Sequence, residues 1–192
     1  KIMWADKMMR LRYVDIQTKS VTEVAKADVW EFSDYNWSPD SKWISYAKQE
    51  SEEMAKINLY SLESSKAFEV TDGWYSSASP TFSSDGKFLF FISDRDFNPT
   101  YSRTEWNHIY QDMSRIYFVT LAKDVKSPFE PKSDEVEIKK EESKDDKAEI
   151  KDDKKDEKKK TDVIVKVDAD GLKDRIVGLP IDAADYRNLN SV

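Results

Sequence analysis

The chain has 192 residues, 39% of them hydrophobic and 12% aromatic, which is enough bulky apolar material for a real core. A net charge of −7 offers no positive field to displace counterions, which argues against a nucleic-acid partner, and the absence of cysteine removes disulfides, thiolate metal sites and cysteine nucleophiles. No run of 18 apolar residues and no signal-like leader occurs, so nothing points to a membrane.

In chain order, the sequence predicts strands over residues 2–5, 11–16 and 21–25, which read as the end of a repeating unit spanning 1–28. The chain opens at Lys1-Ile2-Met3-Trp4, inside a predicted strand, so it is read as an internal piece of a longer parent polypeptide. Residues 30–72 read as one complete unit and 78–180 as another, with 185–192 beginning the next. Two alignments set this period. Asn36-Trp37-Ser38-Pro39-Asp40-Ser41-Lys42-Trp43-Ile44 recurs 45 residues later as Thr81-Phe82-Ser83-Ser84-Asp85-Gly86-Lys87-Phe88-Leu89. Leu11 to Ile16 matches Ile57 to Leu62 at an offset of 46, and Glu23-Val24 then falls on Glu69-Val70.

A period of this length built from short strands is the signature of β-propeller blades, four-stranded antiparallel sheets stacked face to face. Pro39 pre-sets φ for a turn, and Asp40-Ser41 and Asp85-Gly86 supply residues that tolerate unusual backbone angles. The strand Phe88-Leu89-Phe90-Phe91-Ile92 lacks polar alternation, so both its faces are expected to be buried. Trp37, Trp43, Phe82 and Phe88 read as core. The fold expectation is therefore all-β: a partial propeller of two to three blades that cannot close a ring alone.

Two insertions interrupt the 78–180 unit. In the first, residues 93–114, Ser102-Arg103-Thr104-Glu105 has capping-box spacing, and Trp106, Ile109, Tyr110 and Met113 fall on one helical face. A short amphipathic helix covering the blade edge is expected. The second, residues 126–162, contains a run from 132 to 162 with eleven Lys and thirteen Asp or Glu among 31 residues. Such a segment cannot repay chain entropy by burial and reads as a disordered, solvated loop. After it, residues 163–167 and 175–179 are expected to form a hairpin across Asp168-Ala169-Asp170-Gly171.

Chemistry-bearing patterns are sparse. No GxGxxG, P-loop or GxSxG occurs among the four glycines. The single histidine, His108, follows Glu105 by three residues, but one such pair does not make a carboxylate-bridged metal site and a surface histidine is the simpler reading. Asp168 to Gly171 lacks the third ligand and the late Glu of a calcium loop. Asp94-Arg95-Asp96 reads as a structural charge cluster at a blade tip. The residues therefore supply no catalytic, cofactor-binding or metal-binding position.

The block Asp34 to Ile44 resembles the WSPDGK repeat of TolB-like and WD40-like propellers, which prolyl oligopeptidases share. A longer stretch is more specific: Ser93-Asp94-Arg95-Asp96-Phe97-Asn98-Pro99, Ser102 to Asn107, Asp112 to Tyr117 and Ser127-Pro128-Phe129 are similar to the propeller of bacterial tricorn protease homologues. Gly171 through Arg175-Ile176-Val177 to Leu179-Pro180 continues the likeness, and Ser41 departs from it where a turn glycine is usual. The resemblance implies a large serine peptidase whose propellers precede a PDZ-like module and a catalytic domain akin to carboxyl-terminal processing proteases. This segment would belong to the second, seven-bladed propeller, a gated channel for peptide substrates. Its partners would be the remaining blades and catalytic domain of the same polypeptide, the peptides themselves, and further copies of the parent in a homo-oligomer. The family reading implies cytoplasm, and a secreted precursor would place it in the periplasm. No catalytic Ser, His or Glu of the family maps onto this chain. The other readings are a TolB-like interaction propeller without enzymatic activity and the propeller cap of a prolyl-oligopeptidase-like hydrolase. For the charged run, the expected outcome of limited proteolysis on the native protein is early cleavage near Lys154, read by mass spectrometry.

Overall fold

The computed structural model describes residues 1–96, 99–103, 107–129 and 163–191. Strands β1 (Ile2–Asp6), β2 (Arg10–Val14) and β3 (Val21–Lys26) form a three-stranded antiparallel sheet in chain order. β4 (Tyr35–Trp37), β5 (Trp43–Lys48), β6 (Lys56–Ser61) and β7 (Lys66–Glu69) form a four-stranded meander. A third sheet holds β8 (Ser77–Phe82), β9 (Phe88–Ser93), β12 (Arg115–Thr120) and β13 (Ile176–Gly178), each antiparallel to its neighbour. The all-β architecture of the sequence reading is what the structure has. The two aromatic-and-Asp modules lie in different, adjacent sheets.

Alternation along the middle sheet divides its side chains between two cores. Ile44, Tyr46 and Tyr60 pack with Leu11, Tyr13, Val24, Ala27 and Phe32 of the first sheet and its exit loop. Ile57 and Leu59 pack the opposite way, with Phe82, Leu89, Phe91, Val119 and Leu121 of the third sheet. The second and third sheets converge at their first strands: β8 lies against β4, β5 and β6, and the Asn36 amide donates to the Pro80 carbonyl at 2.8 Å.

The β4–β5 and β8–β9 turns are copies of each other at atomic detail. Ser38 Oγ lies 2.6 Å from Asp40 Oδ1 and accepts the Trp43 N–H at 2.9 Å, while Asp40 Oδ1 also accepts the Lys42 N–H at 3.1 Å. Ser83, Asp85, Lys87 and Phe88 repeat these contacts at 2.6, 3.0 and 3.1 Å. The turn position after the Asp has φ 57° at Ser41 and 71° at Gly86. The third strand then docks on each turn, Leu62 N–H to Lys42 carbonyl at 3.0 Å and Leu121 N–H to Lys87 carbonyl at 2.9 Å.

Three expectations need correction. Residues 93–114 do not contain the predicted helix in their described part. Instead β10 (Thr100–Tyr101) pairs antiparallel with β11 (His108–Ile109). The insertion prolongs the β9–β12 ladder, with the Asp96 N–H bonded to the Met113 carbonyl at 3.1 Å and the Ser102 N–H to the Asn107 carbonyl at 2.8 Å. A helix this short needs a surface to bury its apolar face. Ile109 and Tyr110 are exposed, whereas the Tyr101 and His108 rings, 4.7 Å apart, stabilise a cross-strand pair. Glu105 and Trp106, on which the helical reading also rested, lie outside the described residues.

The hairpin of 163–167 with 175–179 is not formed either. Ile176–Gly178 pairs with β12, and residues 163–167 run without strand pairing beneath the turns of two sheets. The Val165 N–H donates to Asp40 Oδ2 at 3.0 Å, and a Cβ at Gly86 would come within 2.8 Å of a Val165 methyl. A single 3-10 turn, Leu172–Arg175, follows Gly171 and buries Leu172. Arg175 holds it by donating to the carbonyls of Thr120, Leu121, Asp168 and Asp170. Of the charged insertion, only 126–129 belongs to the described residues.

The third correction concerns β9. Leu89 and Phe91 are fully buried in the core, but Phe88 and Phe90 face the other way and are half-buried, covered in part by Phe118 and the segment around Leu189.

Asp40 serves its own turn and a neighbouring segment, whereas Asp85 serves its own turn. Asp40→Ala is therefore expected to destabilise the protein by about 1–2 kcal/mol more than Asp85→Ala in chemical denaturation, the difference being the lost acceptor for the Val165 N–H.

Candidate functional site

Each sheet has two ends. The turns 38–42 and 62–65 lie at one, and the loops 49–55 and 70–76, which lead to the third strand and to the next sheet, lie at the other. Two polar clusters gather at this second end.

There the Asp94-Arg95-Asp96 cluster singled out in the sequence forms the base of the first insertion. Asp94 Oδ1 accepts from the Ser114 hydroxyl at 2.5 Å, and the Asp94 N–H reaches the Ser76 carbonyl at 3.0 Å. Asp96 receives the Tyr117 hydroxyl at 2.9 Å on one oxygen and the Arg115 guanidinium at 2.6 Å on the other. Arg95 lies between two rings, 5.9 Å from Tyr75 and 5.4 Å from Tyr117, with its Nε 3.2 Å from Ser93 Oγ. Burial, helped by the hydrogen bond to Asp96, pushes the Tyr117 hydroxyl up to about 12. Each charge has a structural partner, so the cluster joins the crossover 70–76 to the root of the insertion.

Beside it, Gln49, Ser51, Glu52, Met54, Asp72 and Trp74 line an open cleft of about 610 Å³. Glu53, which also lines it, bonds Lys56, buried on β6, and Lys56 reaches Glu69 at 3.0 Å. The hydrogen bond that it donates to Glu53 holds the Lys56 ammonium well above the ordinary lysine range. Lys173, followed by Lys56, holds the Glu69 carboxyl below the ordinary one. Trp74 is 80% exposed at the mouth, its N–H capped by Asp72 Oδ1 at 3.3 Å.

The remaining sequence candidates are scattered. His108 stacks between Tyr101 and Tyr110 on the β10–β11 hairpin. Asp168 and Asp170 are at the opposite end, bound to Lys123. Among the described residues, no three His, Cys, Asp or Glu side chains come together to hold a metal ion. The exposed Trp30 and Trp74 were missed because each was a lone aromatic outside a periodic run. At the 45-residue offset of the repeat Trp30 falls on Tyr75, so the sequence places an aromatic in both crossovers but does not say that it is exposed.

The family described as the tricorn protease second beta propeller domain matches the chain over residues 1–192. Tricorn protease homolog 1 of Streptomyces coelicolor is 31% identical over 182 residues, covering 95% of this chain and 16% of that protein. The tricorn protease of Thermoplasma volcanium is 25% identical over 182 residues, 92% of this chain and 15% of that protein. A crystal structure of the tricorn protease superposes with a TM-score of 0.72 at 20% identity, over 96% of this chain and 16% of that one. The chain thus spans about a sixth of the length of these relatives.

Because Tyr117 titrates late in the folded state, its contribution to stability is complete below its ordinary value of 10.0 and is lost as pH rises toward about 12. Tyr46, raised to about 12 by burial, acts in the same direction. Tyr117→Phe should make the alkaline fall in stability shallower between these values, measured by urea unfolding across the range.

Proposed function

Since the chain belongs to the tricorn protease second β-propeller family, we propose that it is a non-catalytic propeller segment that scaffolds a peptidase and gates peptide access to a catalytic domain elsewhere in the parent chain. The observation that carries this reading is the match over all 192 residues to a propeller domain, by a chain that spans only 16% of a tricorn protease homologue.

The blades are residues 1–28 (the end of one), 30–72 and 78–180, with 185–192 opening a fourth. The sideways links between first strands support this division. Asn36 bonds the Pro80 carbonyl, and Thr81, its counterpart in the repeat, bonds the Leu189 carbonyl at 3.0 Å. The residue before each accepting carbonyl has a left-handed backbone, φ 51° at Ser79 and 54° at Asn188. Residues 188–190 thus stand to β8 as residues 79–81 stand to β4. Peptides would pass along the converging first strands, and further copies of the parent would assemble around the same catalytic chamber.

Asn36 is exposed on β4, and this chain has no cysteine to compete with an introduced one. In the intact parent, Asn36→Cys labelled with a bulky maleimide polymer should slow cleavage of long peptides several-fold and leave a dipeptide-sized chromogenic substrate unaffected. Equal rates on both substrates, labelled or not, would contradict gating through this propeller.

A further inference from the structure

The two ends of the sheets differ in chemistry. At the end carrying the cleft, the described segments 7–9, 27–34, 49–55, 70–76, 94–96, 99–103 and 107–114 hold ten Asp or Glu against three Lys or Arg and one His, and loops 27–34, 49–55 and 70–76 hold seven of the ten and no basic residue. Lys48 and Lys56, at the adjoining strand ends, pair with Glu50 and Glu53 and neutralise two of the seven in these loops. At the opposite end, the described segments 38–42, 62–65, 83–87, 121–129 and 163–175 hold seven Lys or Arg against seven Asp or Glu.

The exposed tryptophans among the described residues, Trp30 and Trp74, are both at the negative end. Trp30 is 63% exposed, Trp74 80%, Met54 53% and Tyr75 43%. Trp30 and the Trp74-Tyr75 pair lie in successive sheet-to-sheet crossovers, and at the 45-residue offset of the repeat Trp30 falls on Tyr75. An aromatic ring that stands out of a loop gains nothing from the core, and its recurrence in both crossovers gives the rim an aromatic surface of the kind that marks a contact site. Met54 and Trp74 flank the cleft together, with the Met54 N–H 3.2 Å from the Gly73 carbonyl. Glu52 and Asp72 line the same walls.

Aromatic faces ringed by carboxylates select one ligand chemistry. A cation is attracted to the ring face and to the surrounding negative field, while the aliphatic stem of a Lys or Arg covers the thioether and ring edge. An anion is repelled, and a neutral apolar segment gains nothing from the charge. The protein already makes this contact internally a few residues away, where the Arg95 guanidinium lies against Tyr75 and Tyr117.

We infer that the cleft between loops 49–55 and 70–76 binds cationic peptide segments, taking a Lys or Arg side chain on the Trp74 ring with Glu52 and Asp72 as the carboxylates around its head. Trp30, in the preceding crossover, offers the next basic residue of an extended peptide a second ring. This site is separate from passage along the first strands and does not depend on the parent being a peptidase, so its test reads equilibrium binding and not cleavage.

The intact protein is titrated by calorimetry at low ionic strength with a Lys/Arg-containing octapeptide, and with Glu-containing and Gly/Ser peptides of equal length. The expected result is binding of the basic peptide alone, weakened about tenfold by Trp74→Ala and less by Glu52→Gln, and weakened further by added salt. Both positions are exposed and outside the cores, so the variants should keep the wild-type unfolding midpoint, which is measured alongside. Unchanged affinity in both variants would overturn the assignment, as would equal binding of the neutral peptide or binding indifferent to salt.

Discussion

β6 has no residue facing water: all six side chains from Lys56 to Ser61 are buried. A strand with this character is stable only when its sheet is covered on both faces. Ile57 and Leu59 give one face to the third sheet, and Tyr60, beside Ile44 and Tyr46 of β5, gives the other to the first. Neither outer sheet could be removed without opening a core. The stack, the convergence of first strands and the placement of all loops at two ends follow from this double burial. The third sheet shares its core on one face only, and Phe88 and Phe90 on its other face are half-buried.

The repeat made much of this legible because it acts through local geometry. Ser38 and Asp40 satisfy the backbone N–H groups of their own turn within five residues, as do Ser83 and Asp85, so the same letters yield the same turn wherever they occur. Leu11 and Tyr13 on β2 and Ile57 and Leu59 on β6 show the alternation that places third strands in a core. Apolar content alone could not say how far each face would be covered. That depends on which neighbouring sheet is present, which is why β9 reads as doubly buried and is so on one side.

The two misread segments fail for a common reason: tertiary contacts decided the backbone. Ile109, Tyr110 and Met113 match a helical face, yet the ladder of β9 and β12 continues into this insertion and imposes extended pairing at its root. Asp168 to Gly171 has turn chemistry and does turn, but Arg175 collects four carbonyls around it, and Leu172 enters the core, so the chain coils once before joining β12. The candidate cleft was out of reach for a different reason. Its residues come from two loops about twenty positions apart, and exposure, not residue type, distinguishes Trp30 and Trp74 from the buried aromatics.

The anchoring of the second insertion bears on how this domain tolerates change. On the entry side Phe129 rests on Phe118, 5.9 Å between ring centroids; on the exit side Val165 is held by Asp40 and fitted against Gly86. Both stems are thus fastened to the sheets at separate points, and the exit stem depends on residues far from it in sequence. A substitution at Asp40 or Gly86, some 80 to 125 positions away from Val165, would therefore be felt where the insertion rejoins the fold.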